Sequence, residues 1–387
     1  MHLPESFSFH CPLKINCGHR ALDQLPADLA TVNANTPMIL ASRGQIGNRR
    51  LRHVINAFKT SGLTLGVYDR VPNRPDADLL SALARMYRER GCDSLIAVGG
   101  HTVPDVAKRL NLIISGSSCD GLGRSDTAAV DPGPLGPLVL VATIGGNGDE
   151  ASGYVNDGGQ RLFSPRLTPT IACIDPSMMD THNHQDMVDG ALVALAHAVE
   201  AFLDLPAGPM CHAYAHSAIG LIANRLPLAL RQTDAKLNCC AVVNGQVAAG
   251  CALSTASAGI CHALAVELKE STDLPLGYLL ALLLPHLVAQ VGDQQSERAG
   301  DLLYPLAGAD TYALTASDYK IPRIMALFWD FFDALGGELD RRIPLSFSQA
   351  GLTDEQISRA QSTVSDTHAA DAVARIVRGA RLGADLL

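Results

Sequence analysis

The first part of the chain switches repeatedly between short β-branched runs and helical patterns, and this alternation limits the possible folds more than any other feature. Pro37–Ser42 reads as a buried strand, Leu63–Tyr68 as the next, Ser94–Val98 as a third and Pro137–Val141 as another. Between them, residues 50–61 put Leu51, Val54, Ile55 and Phe58 on one helix face. Residues 76–90 turn Leu79, Leu80, Leu83 and Met86 inward, and residues 105–115 read as a third helix. Strands that alternate with helices build a parallel sheet covered on both faces, and such sheets take ligands beyond the C-terminal strand ends. Two of those ends are glycine-rich: Gly99-Gly100, and Gly145-Gly146-Asn147-Gly148.

After Asp175-Pro176 the character changes. Residues 187–203, 212–230, 242–264, 276–291 and 321–335 read as helices, and strands become scarce. The expected organisation is an α/β dinucleotide-binding domain over residues 1–180, with a parallel nucleotide-binding sheet, and an all-helical domain over residues 181–387. Glycine lets the backbone approach a pyrophosphate, and a helix start near Asp105 aims free amides at it.

Composition removes several classes. With 47% hydrophobic and 18% charged residues, the bulk of the chain is not disordered. Thirty basic against 39 acidic residues, net −9, provide no nucleic-acid footprint. The longest apolar run, Tyr278–Val291, contains Pro285 and His286 and is too short for a membrane span, and the first residues have no signal-peptide pattern. The ten cysteines form no Cys-x-x-Cys pair and sit mostly in apolar contexts, which points to free buried thiols and a cytoplasmic, soluble protein with no membrane or nucleic-acid partner.

Several motifs, in order, resemble those of the iron-containing (group III) alcohol dehydrogenase family over nearly the whole chain. The family's Gly-Gly-Gly-Ser-x-x-Asp-x-x-Lys reads here Gly99-Gly100-His101-Thr102-Val103-Pro104-Asp105-Val106-Ala107-Lys108. Its Pro-Thr-Thr-x-Gly-Thr-Gly-Ser-Glu reads Ala142-Thr143-Ile144-Gly145-Gly146-Asn147-Gly148-Asp149-Glu150. Its His-Ala-x-Glu matches His197-Ala198-Val199-Glu200, and Gly-x-x-His-Ala matches Gly259-Ile260-Cys261-His262-Ala263. Asp175-Pro176, Leu284-Pro285-His286 and Gly351-Leu352-Thr353 also look familial. The resemblance implies the architecture shared with dehydroquinate synthase, an NAD or NADP cofactor, a small-molecule substrate in the interdomain cleft, and a homodimer. It assigns the cofactor to Ser42, Asn73, Gly99, Gly100, His101, Thr102, Asp105, Thr143, Ile144 and Asn147. Ser42-Arg43 stands where the family often has an aspartate, so a 2′-phosphate is tolerated and the expectation leans to NADP. His101 and Asp149 depart from the motifs beside the expected pyrophosphate, and Lys108 and Glu150 fit a structural role as well as a catalytic one.

The family's metal set is Asp-x-x-x-His on one helix and two histidines fourteen residues apart. Here His197 and His262 remain, but Val193 and Leu276 stand at the other two ligand positions, and Val266 replaces a further active-site histidine. A catalytic metal usually keeps three protein ligands, so the expectation is no metal of the family kind, with His197 and His262 as residual positions only. Asp189 lies ~12 Å along the helix from His197 and does not replace the lost acid; Glu200, Glu267 and Asp273 are nearer in sequence. Something must then protonate the developing alkoxide, and His262 followed by His197 are the candidates. Activated carbonyls need less help, and maleylacetate reductases look like a precedent within the family. The function implied is an NAD(P)-dependent oxidoreductase that favours reduction. The alternative is a catalytically inactive homologue that serves as a regulatory or partner protein; a dehydroquinate-synthase-type lyase ranks below both. His212 and His216, four residues apart, read as a surface pair, and Trp329, among Phe328, Phe331 and Phe332, as core.

Overall fold

A computed structural model describes residues 5–43, 45–100, 102–117, 135–157, 160–179, 183–204, 207–231, 235–254, 259–339 and 341–383. The chain divides into two compact units, His10–Asp180, and Thr181–Leu387 with Met1–Phe9. The N-terminal end thus belongs with the helical unit, where the Phe9 ring stacks on Tyr214 at 5.7 Å.

The first unit is built on β1 (Lys14–Cys17), α1 (Leu25–Thr31), β2 (Pro37–Ser42), α2 (Gln45–Ala57), β3 (Gly66–Val71), α3 (Ala77–Glu89), β4 (Ser94–Val98), α4 (Thr102–Ile114) and β5 (Leu138–Val141). A hairpin of β6 (Tyr154–Asp157) and β7 (Gln160–Phe163) follows, then β8 (Ile171–Ile174). Six strands pair in parallel in the order β1-β8-β5-β4-β2-β3. Four of them, β2, β4, β5 and β8, are almost wholly buried, which is why they read as unbroken apolar runs. The core on one side is Met38, Leu40, Leu83, Leu95, Val106, Leu110 and Leu140. From β3 the chain crosses β2 to reach β4, so the order reverses between β2 and β4, and parallel sheets bind ligands outside such a point.

Two boundaries differ from the sequence reading. β3 begins at Gly66 rather than Leu63, because its register is set by pairing Gly66 with Met38. α4 begins at Thr102 rather than Asp105; Pro104 lies in the first turn, where no backbone donor is needed.

The helical unit contains α5 (His184–Leu203), α6 (Pro209–Leu230), α7 (Ala235–Ala252), α8 (Ile260–Lys269), α9 (Leu276–Gly292), α10 (Ser296–Gly300), α11 (Leu303–Leu314), α12 (Ser317–Gly336), α13 (Asp354–Ser365) and α14 (Ala370–Leu382). The single helix expected over 242–264 is two, α7 and α8, with extended backbone at Gly259. No helix among the described residues is long and apolar enough to cross a membrane.

Candidate functional site

Most of the expected cofactor positions lie at the carboxyl ends of neighbouring strands. Ser42 ends β2 and is half-buried, Gly99 and Gly100 follow β4, and Thr143 and Ile144, both buried, follow β5. Asn147 is half-buried in the same loop, and Asn73 is exposed beyond β3. Thr102 opens α4. His101 lies outside the described residues. The two glycine loops touch: a Cβ on Gly100 would come within 2.6 Å of the Gly145 carbonyl oxygen, so only glycine fits there.

Beneath the loops is a buried charge cluster. Lys108, fully buried on α4, donates its ammonium to the carbonyls of Asp149 (2.5 Å), Ser152 (2.8 Å) and Tyr154 (2.6 Å). Burial lowers its pKa to about 8, opposed by the charges of Asp149, Asp105 and Glu150. The Asp105 carboxylate accepts from the Asn156 backbone (3.0 Å) and side chain (3.1 Å). Burial, then Asp149, raises its pKa to about 6. Asp149 does not stand as a bare charge beside an anion, since Arg161 binds it at 2.5 Å and stacks over Tyr154 at 4.1 Å. Glu150 Oε2 accepts the backbone N–H of Asn147 (3.2 Å) and of Gly148 (3.0 Å). Lys108 and Glu150 therefore brace the loops. Their partners Asn156, Ser152, Tyr154 and Arg161 carry no motif and were not foreseen from the sequence.

In the helical unit, His197 on α5 and His262 on α8 meet: His197 Nε2 and His262 Nδ1 are 3.0 Å apart, with 0% and 8% of each residue exposed. One of these nitrogens donates and the other accepts. Glu200, one turn beyond His197, fixes the encounter. Its carboxylate accepts from the backbone N–H groups of Gly259 (3.3 Å), Cys261 (2.8 Å) and His262 (3.2 Å), capping α8 where its first-turn amides have no helical partner. The same carboxylate raises the Cys261 thiol, which burial has already pushed up. Asp189 does the same for α9, accepting from Gly277 N at 2.6 Å.

The family's metal was tested against these residues. Two imidazole nitrogens are available, Val193 is buried, and Leu276 presents hydrocarbon at the fourth position. Among the described residues no three His, Cys, Asp or Glu side chains come together as a metal site. Among the described residues the donor set falls short of the three protein ligands a catalytic metal needs.

His212 and His216 lie elsewhere in the helical unit. His212 is buried rather than superficial, with Nε2 3.2 Å from Arg298 Nη2, and burial and that guanidinium lower its pKa. His216 packs on Tyr304 at 5.1 Å. Trp329 is core, 6% exposed.

The parallel sheet has its glycine loops at the ends of β4 and β5, the first of them beside the point where the strand order reverses, and a helical unit follows it. Residues 12–176 match the iron-containing alcohol dehydrogenase family and residues 187–371 match the C-terminal domain of the same family. The chain belongs to the iron-containing alcohol dehydrogenase family, and so to the alcohol dehydrogenase-type oxidoreductases. It is similar to the NAD-dependent methanol dehydrogenase of Bacillus methanolicus, 23% identical over 90% of this chain and 91% of the relative. A probable alcohol dehydrogenase of Escherichia coli (strain K12), EutG, is 31% identical over 54% of this chain, a match that spans about half (53%) of that relative's length. The crystal structure of a 1,3-propanediol oxidoreductase, 20% identical, superposes with a TM-score of 0.84, covering 97% of this chain and 99% of that one, which shows the shared fold.

Proposed function

We propose that this chain is an NAD(P)-dependent oxidoreductase that interconverts a small alcohol and its carbonyl, favouring reduction of activated carbonyls, without the metal of its family. The observation that carries this reading is the His197–His262 pair, a buried 3.0 Å contact at positions where the family resemblance places metal ligands. The α/β unit supports a nucleotide site: the two glycine loops end the neighbouring strands β4 and β5, β4 borders the point where the strand order reverses, and Gly100 lets the loops pack directly on each other. Bound nicotinamide supplies or takes the hydride. His262, the more exposed of the two at 8%, delivers the proton to the carbonyl oxygen as negative charge develops there. His197, fully buried, holds the facing nitrogen of His262 and sets its tautomer. Glu200 keeps α8, and therefore His262, at that distance. Ser42 and Arg43 support NADPH over NADH, with no acid at the strand end to repel a 2′-phosphate.

A second reading, an inactive homologue with a regulatory role, is supported by the same hydrocarbon at Val193 and Leu276 and by the loop amides already engaged by Glu150. Fluorescence titration of metal-stripped protein with NADPH and NADH, followed by an aldehyde and keto-acid screen, separates the two. Micromolar nucleotide binding and turnover without metal are expected. Turnover only after Zn²⁺ or Fe²⁺ addition overturns the metal-free step, and no binding under any condition selects the inactive homologue.

A further inference from the structure

The second glycine loop already contains an anion. The amides of two successive residues, Asn147 and Gly148, converge on Glu150 Oε2, and Gly148 has a φ of 95°. Consecutive N–H groups that converge through a left-handed residue form an anion-binding nest. One oxygen of that carboxylate takes backbone amides, including that of Glu150 itself, while the other is left over. Glu150 is 3% exposed, and its other oxygen, Oε1, has no hydrogen-bond partner among the described residues. Oε1 lies over Gly146, where any Cβ would collide with it. Burial pushes the Glu150 pKa up, so the site does not favour this charge. Nor is the carboxylate spent elsewhere: Lys108 gives its ammonium to three backbone carbonyls, and Asp149 is bound by Arg161.

We propose that the Glu150 carboxylate stands in for a phosphate oxygen in the second glycine loop and yields those amides to the pyrophosphate of a dinucleotide, setting the affinity of the site. The inference rests on the reading of this unit as a dinucleotide site. The free loop stays in its binding shape because Glu150 fills it, and the cost is competition between two anions for the same N–H groups. Glu150 is thus an affinity-setting residue that touches neither hydride nor proton.

Glu150→Gln keeps an oxygen for the two amides and removes the charge. NADPH is expected to bind this variant about ten-fold tighter, with KM for NADPH falling accordingly. A merely structural brace predicts equal or weaker binding, and that result with a binding-competent wild type overturns the inference while the dinucleotide reading stands. If neither protein binds nucleotide, the dinucleotide reading fails and takes this inference with it. Two further measurements need no tight-binding variant. In Glu150→Ala, the Asn147 and Gly148 amides should exchange with solvent faster than in wild type and slow again when NADPH is added; fast exchange with NADPH bound overturns the proposal. In the unmodified chain, infrared difference spectra on NADPH binding should show a buried carboxylate band shift that Glu150→Gln lacks, and an unchanged spectrum overturns it.

Discussion

Lys108 in the α/β unit and His286 in the helical unit are both buried titratable side chains, 0% and 2% exposed, and they are handled in opposite ways. Lys108 meets three backbone carbonyls, and its pKa falls only to about 8, so it remains mostly charged at neutral pH. Among the described residues neither ring nitrogen of His286 has a hydrogen-bond partner; its ring faces Trp329 at 6.1 Å, and burial drives its pKa to about 4. The difference follows from the backbone around each. The loop after β5 has carbonyls not committed to any ladder and can solvate a cation. Helix interiors spend their carbonyls on themselves, so buried polar groups of the helical unit are engaged at helix ends, as Glu200 and Asp189 do at helix starts and Arg298 does at the Phe202 carbonyl near the end of α5, or side chain to side chain, as His197 and His262 do.

The sharpest way to break this comparison is Lys108→Met. It keeps the stem but leaves the carbonyls of Asp149, Ser152 and Tyr154 without their donor. The expected loss is about 3–5 kcal/mol in urea unfolding. A loss below about 1 kcal/mol would show that the ammonium is not what holds the loop.

His286 should act through pH. Its folded pKa of about 4 lies below the unfolded 6.5, so between those values the unfolded chain binds more protons and stability falls as pH falls. The contribution lost on acidification from pH 7 to 4 is about 3 kcal/mol. His286→Leu should flatten the slope of unfolding free energy against pH in that window by about one proton, leaving the contributions of His212 and His216, whose pKa values burial also lowers. An unchanged slope would place the acid sensitivity elsewhere.

The same contrast explains what could be read from the sequence. β2, β4 and β5 were legible because buried parallel strands are continuous apolar runs, and the glycine loops because they end them. β1 and the β6–β7 hairpin are four-residue strands that exist through pairing, which leaves little trace in local pattern. The break between α7 and α8 was missed because no proline marks it; Glu200, about sixty residues earlier, defines the start of α8. At the site, His197 and His262 were found by motif. That their nitrogens meet, and that Lys108 reaches carbonyls 41 to 46 residues away, are tertiary facts no spacing rule contains.

The hydrocarbon around the histidine pair can be tested by putting the acid and histidine back. Val193→Asp with Leu276→His completes the four family positions suggested by the motif resemblance. The double variant should be less stable without metal, because residue 193 is 3% exposed and an unpaired carboxylate there is costly. With Zn²⁺ at a hundred times its dissociation constant it should regain about 2.7 kcal/mol, read as a chelator-reversible rise in Tm. Wild type should show no such rise, and one of equal size would mean that the two histidines recruit a ligand that the metal-free reading denies them.

The smallest expected effect lies at the other end of the argument, in the choice between nucleotides. Ser42 closes β2 beside the switch point and is half-buried, and Arg43 follows it, exposed, with its backbone N–H bonded to the Val71 carbonyl at 3.4 Å. An acid at the end of this strand can accept the ribose hydroxyls of NADH and repels the 2′-phosphate of NADPH, whereas serine followed by arginine does neither. Ser42→Asp should therefore weaken NADPH binding about ten-fold, about 1.4 kcal/mol, while NADH binding holds or improves. The site is partly solvated and carries no buried partner, so the unfolding midpoint should stay in place. Paired fluorescence titrations with the two nucleotides read the ratio directly. If that ratio is unchanged, the strand end does not contact the ribose, and the preference must be set by Arg43 or by the exposed Asn73 beyond β3.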